Sequence, residues 1–191
     1  MGTEAQTPVA LRSLRSRPFD LLLEMEQRGR AAAAAQGRDV GVGREWVGVA
    51  FRMSGEVFLV AREETREVMG MPAAVTRVPG ARGWVRGLAN VRGQLLPILD
   101  LRQYLGSGVT QSGRNTRVLV VNHREVPAGL MVDEVLGFRR FADKEFSADV
   151  PPTVVRIDRY LAGAFRRNNE VWPVLSLRTL VESPSFLQAA S

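Results

Sequence analysis

A chain of 191 residues with 45% hydrophobic and 24% charged side chains has the composition of a globular protein, and at this length it buries about 70% of its extended surface without a disulfide or a structural metal. The absence of cysteine excludes a disulfide framework, a thiol nucleophile and cysteine-ligated zinc or iron–sulfur centres, and the single histidine, His123, excludes a zinc site built from several imidazoles. The net charge of +6 rests almost wholly on arginine, Lys144 being the only lysine, and it is spread along the chain rather than gathered into a basic arm.

Residues 1–17 are mixed, polar and expected to be loose. Residues 18–44 read as a helix followed by a linker. Ser16 can cap a helix that starts near Pro18, Phe19, Leu22, Leu23 and Met25 give it an apolar stripe of two turns, and the alanine run 31–35 carries it to Gly37. Gly37, Gly41 and Gly43 then make 36–44 a flexible joint. No stretch reaches the roughly 18 consecutive apolar residues of a membrane span. The N-terminus lacks an apolar signal core, and Gln6 stands where myristoylation of Gly2 needs Ser or Thr, so a cytoplasmic location without membrane insertion is expected.

From Trp46 the apolar residues recur every second position. Residues 46–53 and 56–61 flank a Ser54-Gly55 turn and predict a β-hairpin. Further strands are expected at 75–78, 88–91, 94–99, 117–122, 128–135, 160–166 and 171–175, with short helical caps at 102–105 and 178–181 and a tail at 183–191. Short strands at this spacing predict an all-β barrel or sandwich. The motif from Gly87 through Pro97 and Asp100 to Leu105 recurs 76 residues later, from Gly163 through Pro173 and Ser176 to Val181. A looser echo relates Val47, Val49 and residues 67–70 to Val118, Val120 and residues 134–137. Two echoes in one order predict two related halves that share a core.

Residues suited to catalysis are sparse. Neither a phosphate-cradling glycine loop nor a G-x-S-x-G elbow is present. Asp100, Asp133 and Glu134 are the available acid–base carboxylates, but Asp100 gives way to Ser176 in the repeat, which favours a helix cap. His123 lies in a polar stretch between strands and reads as an exposed turn imidazole. The glycine- and arginine-rich loop 78–93 is the more unusual feature. Its Trp84 reads either as a lid over the core or as an interface anchor, and Arg92 sits at a tight turn as either a solvated side chain or a partner contact.

Pro79, Gly80, Gly87, Asn90, Arg92, Gly93, Pro97, Asp100, Leu101 and Arg102 together form a pattern that resembles the CheW-like family of chemotaxis coupling proteins. The resemblance spans residues 45–182. The N-terminal helix, Trp84 and the Ala-Asn-Val-Arg-Gly wording are similar to members that serve type IV pilus chemosensory systems controlling twitching motility. What the resemblance implies is a mainly β fold of two small five-stranded SH3-like barrels sharing a core. It also implies an adaptor with no catalysis and no cofactor. The implied partners are the cytoplasmic tip of a methyl-accepting chemoreceptor and the regulatory domain of a CheA-like histidine kinase. Carried over by motif, the receptor surface comprises Thr65, Glu67, Val68, Gly87, Arg92 and Leu95, with Trp84 and Asn90 as further interface candidates. A basic β-barrel that binds nucleic acid is the alternative, and it predicts binding that weakens steeply with salt.

Overall fold

The computed structural model describes residues 45–189, so the expected loose N-terminus, helix and linker up to residue 44 lie outside the described residues. The chain from Glu45 is mainly β. Strands β1 (Glu45–Met53) and β2 (Glu56–Ala61) form the expected hairpin, with Ser54 at φ 53° and Gly55 at φ 85° in the left-handed turn that matches strand twist. A 3-10 turn, Arg62–Glu64, leads into β3 (Thr65–Gly70), and β4 (Val85–Val91), β5 (Gln94–Asp100) and helix α1 (Leu101–Tyr104) complete the first half. The second half contains β6 (Arg117–Val121), β7 (Gly129–Val132), β8 (Glu134–Ala142), the two-residue β9 (Phe146–Ser147), β10 (Leu161–Arg167), β11 (Glu170–Leu175) and α2 (Leu177–Val181). The segment read as a tail contains α3 (Pro184–Leu187).

The strands form two sheets, in the orders β8-β1-β2-β11-β10-β9 and β3-β6-β7-β5-β4. The first has six strands rather than the expected five because β9 adds a short edge. Each sheet draws on both halves of the chain. After the β1–β2 hairpin the chain crosses to give β3, β4 and β5 to the other sheet, and after β6–β7 it crosses back with β8, β10 and β11. The expected continuous strand 128–135 is accordingly broken at Asp133, where the crossing occurs. The Asp133 carboxylate accepts the Ser54 N–H at 2.8 Å and lies 3.7 Å from the Arg102 guanidinium. The strand expected at 75–78 reduces to one bridge between Thr76 and Leu88. Pro79 has no N–H to donate and restricts Val78 before it, so the segment cannot extend its pairing.

Period-two alternation sorts the apolar side chains into three clusters. Val49, Phe51 and Met53 of β1 meet Leu119 and Val121 of β6 and Leu130 and Val132 of β7 in the shared central core. The alternate faces fill the separate barrels: Ala50, Leu59, Phe141, Phe165 and Val174 in the first, and Ala89, Leu96, Ile98, Val118, Val120 and Met131 in the second. Leu101, Leu105, Leu177, Leu180 and Val181 from the two capping helices enter the central core.

The repeat seen in the sequence is equally present in the backbone. Pro97 of β5 stands opposite Leu88 and Pro173 of β11 opposite Ala164, and each is followed by a parallel ladder, Ile98 with Gly129 in one sheet and Val174 with Leu59 in the other. The expected caps form. Asp100 accepts the Gln103 N–H at 3.1 Å, and Ser176 accepts that of Thr179 at 3.2 Å. Gly87 and Gly163 occupy matching bulges, with φ of 141° and 143°, where an added Cβ would lie 2.2 Å from the Thr76 carbonyl oxygen and 2.3 Å from that of Ser147. Substituting Gly163 by alanine should therefore destabilise the protein by about 2 kcal/mol or more. Urea denaturation checks this: the midpoint of Gly163→Ala should fall well below that of the wild type, and an unchanged midpoint would show that the backbone absorbs the side chain.

Candidate functional site

The sheet β3-β6-β7-β5-β4 carries a small groove of about 150 Å³ at the tip of its β4–β5 hairpin, lined by Arg66, Glu67, Arg92, Leu95, His123 and Pro127 among others. Strand β3, the hairpin tip, the end of β6 and the β6–β7 connection build it. Arg92 Nη2 lies 2.7 Å from Glu67 Oε2, so one ion pair joins β3 at one edge of the sheet to the tip of the β4–β5 hairpin at the other. The Arg92 side chain is 82% exposed while that of Glu67 is 22% exposed, and a pair this open to water contributes little to stability. Leu95 beside it is 68% exposed, an apolar side chain that the fold leaves uncovered.

The backbone at Arg92 is unusual. Arg92 has φ 52° and Gly93 φ 82°, a left-handed pair that suits a two-residue hairpin, and the Asn90 side-chain oxygen accepts the Gly93 N–H at 2.9 Å to hold it. The matching turn of the second half has Asn168 at φ 48° and Asn169 at φ 67°. Asparagine tolerates this conformation, whereas a long side chain costs more there. Arginine thus stands where the fold alone is content with asparagine.

The six residues carried over by the resemblance separate into groups. Glu67, Arg92 and Leu95 share the groove. Val68 is exposed, and strand alternation turns it to the opposite face of β3 from Glu67. Thr65 begins β3 and donates its hydroxyl to the Ala61 carbonyl at 3.3 Å. Gly87 is held at its bulge by the close Thr76 carbonyl, outside the groove. Of the two further candidates, Asn90 shapes the turn, while Trp84 is accounted for by packing. Its ring stacks on Phe186 with centroids 5.5 Å apart and meets Tyr104 edge-on at 5.0 Å.

His123 is not the exposed imidazole that the sequence suggested. Its side chain is only 17% exposed, its Nδ1 accepts the backbone N–H groups of Val126 and Glu125 at 3.1 and 3.3 Å, and its Nε2 therefore carries the proton toward Glu182 Oε1 at 3.1 Å. It ties the β6–β7 connection to the end of α2. Arg66, His123 and Pro127 are groove residues that sequence reasoning missed, since they arrive from elements whose meeting is purely tertiary. The carboxylates considered for acid–base work are engaged in the fold. Buried Asp100 accepts from Gln103 and from both the N–H and the hydroxyl of Thr110, and Glu134 pairs with Arg52 at 3.3 Å.

The sequence profile of the CheW-like domain matches residues 47–185, and the chain belongs to that family of chemotaxis scaffold and adaptor proteins. Within it, the chain is 40% identical over 173 residues to Protein PilI of Pseudomonas aeruginosa, covering 91% of this chain and 96% of that protein. It is 27% identical over 111 residues to the chemotaxis protein CheW of Helicobacter pylori, covering 58% of this chain and 67% of that one. The crystal structure of the scaffolding protein TtCheW from Thermoanaerobacter tengcongensis superposes with a TM-score of 0.64 at 21% identity, over 73% of this chain and 94% of that chain, and shares its fold.

A forked ion pair braces the other sheet, between Arg167 at the end of β10 and Glu145 in the turn after β8. Glu145 accepts Arg167 Nε at 2.6 Å and Nη2 at 2.5 Å, and also the Ala142 N–H at 2.7 Å. The Arg167 hydrogen bonds first, and the Ala142 N–H second, hold the Glu145 carboxyl down to about 2 from an ordinary 4.5. Because the folded chain keeps this group ionised to lower pH than the unfolded chain does, its stabilisation is complete above about pH 4.5 and fades as pH falls through about 2. Glu145→Gln should accordingly be less stable than the wild type at pH 6, with the gap closing toward pH 2. Denaturant titrations of both proteins at the two pH values measure it, and a gap independent of pH would reject the ion pair as its origin.

Proposed function

We propose that the chain is a non-catalytic adaptor that couples methyl-accepting chemoreceptors to a CheA-like histidine kinase in a pathway governing type IV pilus twitching motility. Its place is the cytoplasm, at receptor arrays reached through its partners. Family membership supports the adaptor role, and the similarity to Protein PilI along nearly the whole chain supports the pilus pathway. The observation that carries the receptor assignment is Arg92: a long cationic side chain in a left-handed turn, held by Glu67 and flanked by uncovered Leu95. A strained backbone position that supports no packing is a reason to look for a ligand.

The groove offers a partner helix one apolar contact at Leu95 and one exchangeable charge. An acidic side chain on the receptor tip can compete with Glu67 for the guanidinium, so the ion pair keeps Arg92 extended until the partner arrives. An adaptor transmits signal by binding two receptor conformations unequally, and a difference of a few contacts at one rigid hairpin tip biases the kinase held on the same body. The engagement of Asp100, Asp133 and Glu134 in caps, turns and ion pairs supports a role without acid–base chemistry.

Arg92→Ala should leave the unfolding free energy from urea denaturation within about 0.5 kcal/mol of the wild type, because the exposed pair contributes little. It should weaken binding to a receptor cytoplasmic-tip fragment by about 1–3 kcal/mol. Calorimetric titration of both folded proteins decides this, and equal affinities would remove Arg92 from the site. Salt-sensitive binding of single-stranded nucleic acid, with no binding of the receptor fragment, would favour the nucleic-acid alternative.

A further inference from the structure

The sheet opposite the groove holds a second concavity, of about 300 Å³, at the mouth of its barrel. Its wall is aromatic and continuous. The Trp46 and Phe165 rings lie 4.6 Å apart between centroids, and Phe146 meets Phe165 at 5.2 Å. Ala162 and Val174 border the space beside them, and the acidic residues Glu64 and Asp143 are part of its lining.

The charge of this lining runs against the rest of the molecule. Lys and Arg number 26 against 20 Asp and Glu, yet among the described residues the pocket is lined by two acidic residues and no basic one. Glu64 is already committed, accepting the Ser176 hydroxyl at 3.1 Å and the Leu177 N–H at 2.6 Å. The Asp143 carboxylate has no hydrogen-bond or ion-pair partner among the described residues. The same aromatic cluster already receives a cation on its other flank. The Arg167 guanidinium lies 4.4 Å from the centroid of Phe141, which in turn stacks on Phe165 at 4.6 Å.

From this we infer that the mouth of the first barrel is a docking pocket for one arginine side chain of a partner protein. The volume is at the small end for a ligand pocket and suits a single long side chain. The alkyl stem lies against Ala162 and Val174, the flat guanidinium stacks on the exposed ring of Phe146 or on Trp46, and its fork reaches Asp143. Lysine, a strongly hydrated point charge, uses neither the stacking nor the fork. The pocket lies on the sheet opposite the Arg92 groove, so the inference does not rest on the receptor assignment.

The test is a nuclear magnetic resonance titration of the full chain with N-acetylarginine amide, following the Trp46 indole signal, beside N-acetylcitrulline amide, which replaces the guanidinium by an uncharged group of the same shape. Arginine should move the Trp46 signal at millimolar concentration and bind at least fivefold more tightly than citrulline. Asp143→Asn should remove most of that preference, and Arg92→Ala should leave it intact. Equal binding of the two probes, no movement of the Trp46 signal, or a preference unchanged in Asp143→Asn would each overturn the pocket. Concentration-dependent self-association that Asp143→Asn abolishes would make a second copy the occupant and overturn the assignment to a separate partner.

Discussion

Backbone hydrogen bonding between the two halves of the chain is the constraint on which the rest depends. β1 with β8, β3 with β6, β2 with β11 and β5 with β7 are all ladders in which one strand comes from each half. Neither half can satisfy its own strand edges, and neither can close a barrel alone. The central core has the same origin: it is lined by the faces of β1, β2, β5, β6, β7 and β11 that the crossings bring together. Cooperative folding of the described residues as one unit is the physical consequence, since unpairing either half opens both sheets.

On this framework the two hairpin tips became different tools. β4–β5 and β10–β11 share bulge, proline and left-handed turn, but one turn holds Arg92-Gly93 and the other Asn168-Asn169. The first presents an exposed charge paired with Glu67. In the second, the arginine is Arg167, one residue before the turn, and it is clamped by Glu145 and laid on Phe141. An exposed ion pair with one short contact can be exchanged for a partner's charge. A forked pair backed by a ring is part of the fold.

Much of this was legible in the sequence because it is local. The Ser54-Gly55 hairpin and the Asp100 and Ser176 caps follow from residues a few positions apart, and the Gly-Pro frame from its recurrence 76 residues later. The strand expected at 75–78 shrinks to a single bridge because Pro79 ends its pairing with β4, and the strand expected over 128–135 stops at Val135 because Arg139 and Arg140 interrupt the apolar alternation, although β8 runs on to Ala142 and Phe141 returns to the core. The site was half legible. Arg92 announced itself by standing in a turn, but Arg66, His123 and Pro127 reach the groove only through the packing of β3 and the β6–β7 connection. Trp84 offered two readings that its packing on Tyr104 and on Phe186, about a hundred residues further on, distinguishes.

The twin prolines have one more effect. Two parallel strands joined only through distant loops are prone to slippage by a pair of residues, since alternation would be preserved and the same faces would remain buried. Pro97 and Pro173 come immediately before the first paired residues of β5 with β7 and of β11 with β2, and each lacks the donor that a shifted alignment would demand of it. A misaligned ladder would therefore leave a carbonyl stranded in its own sheet, and the penalty for that error is written into the covalent structure before any side chain packs.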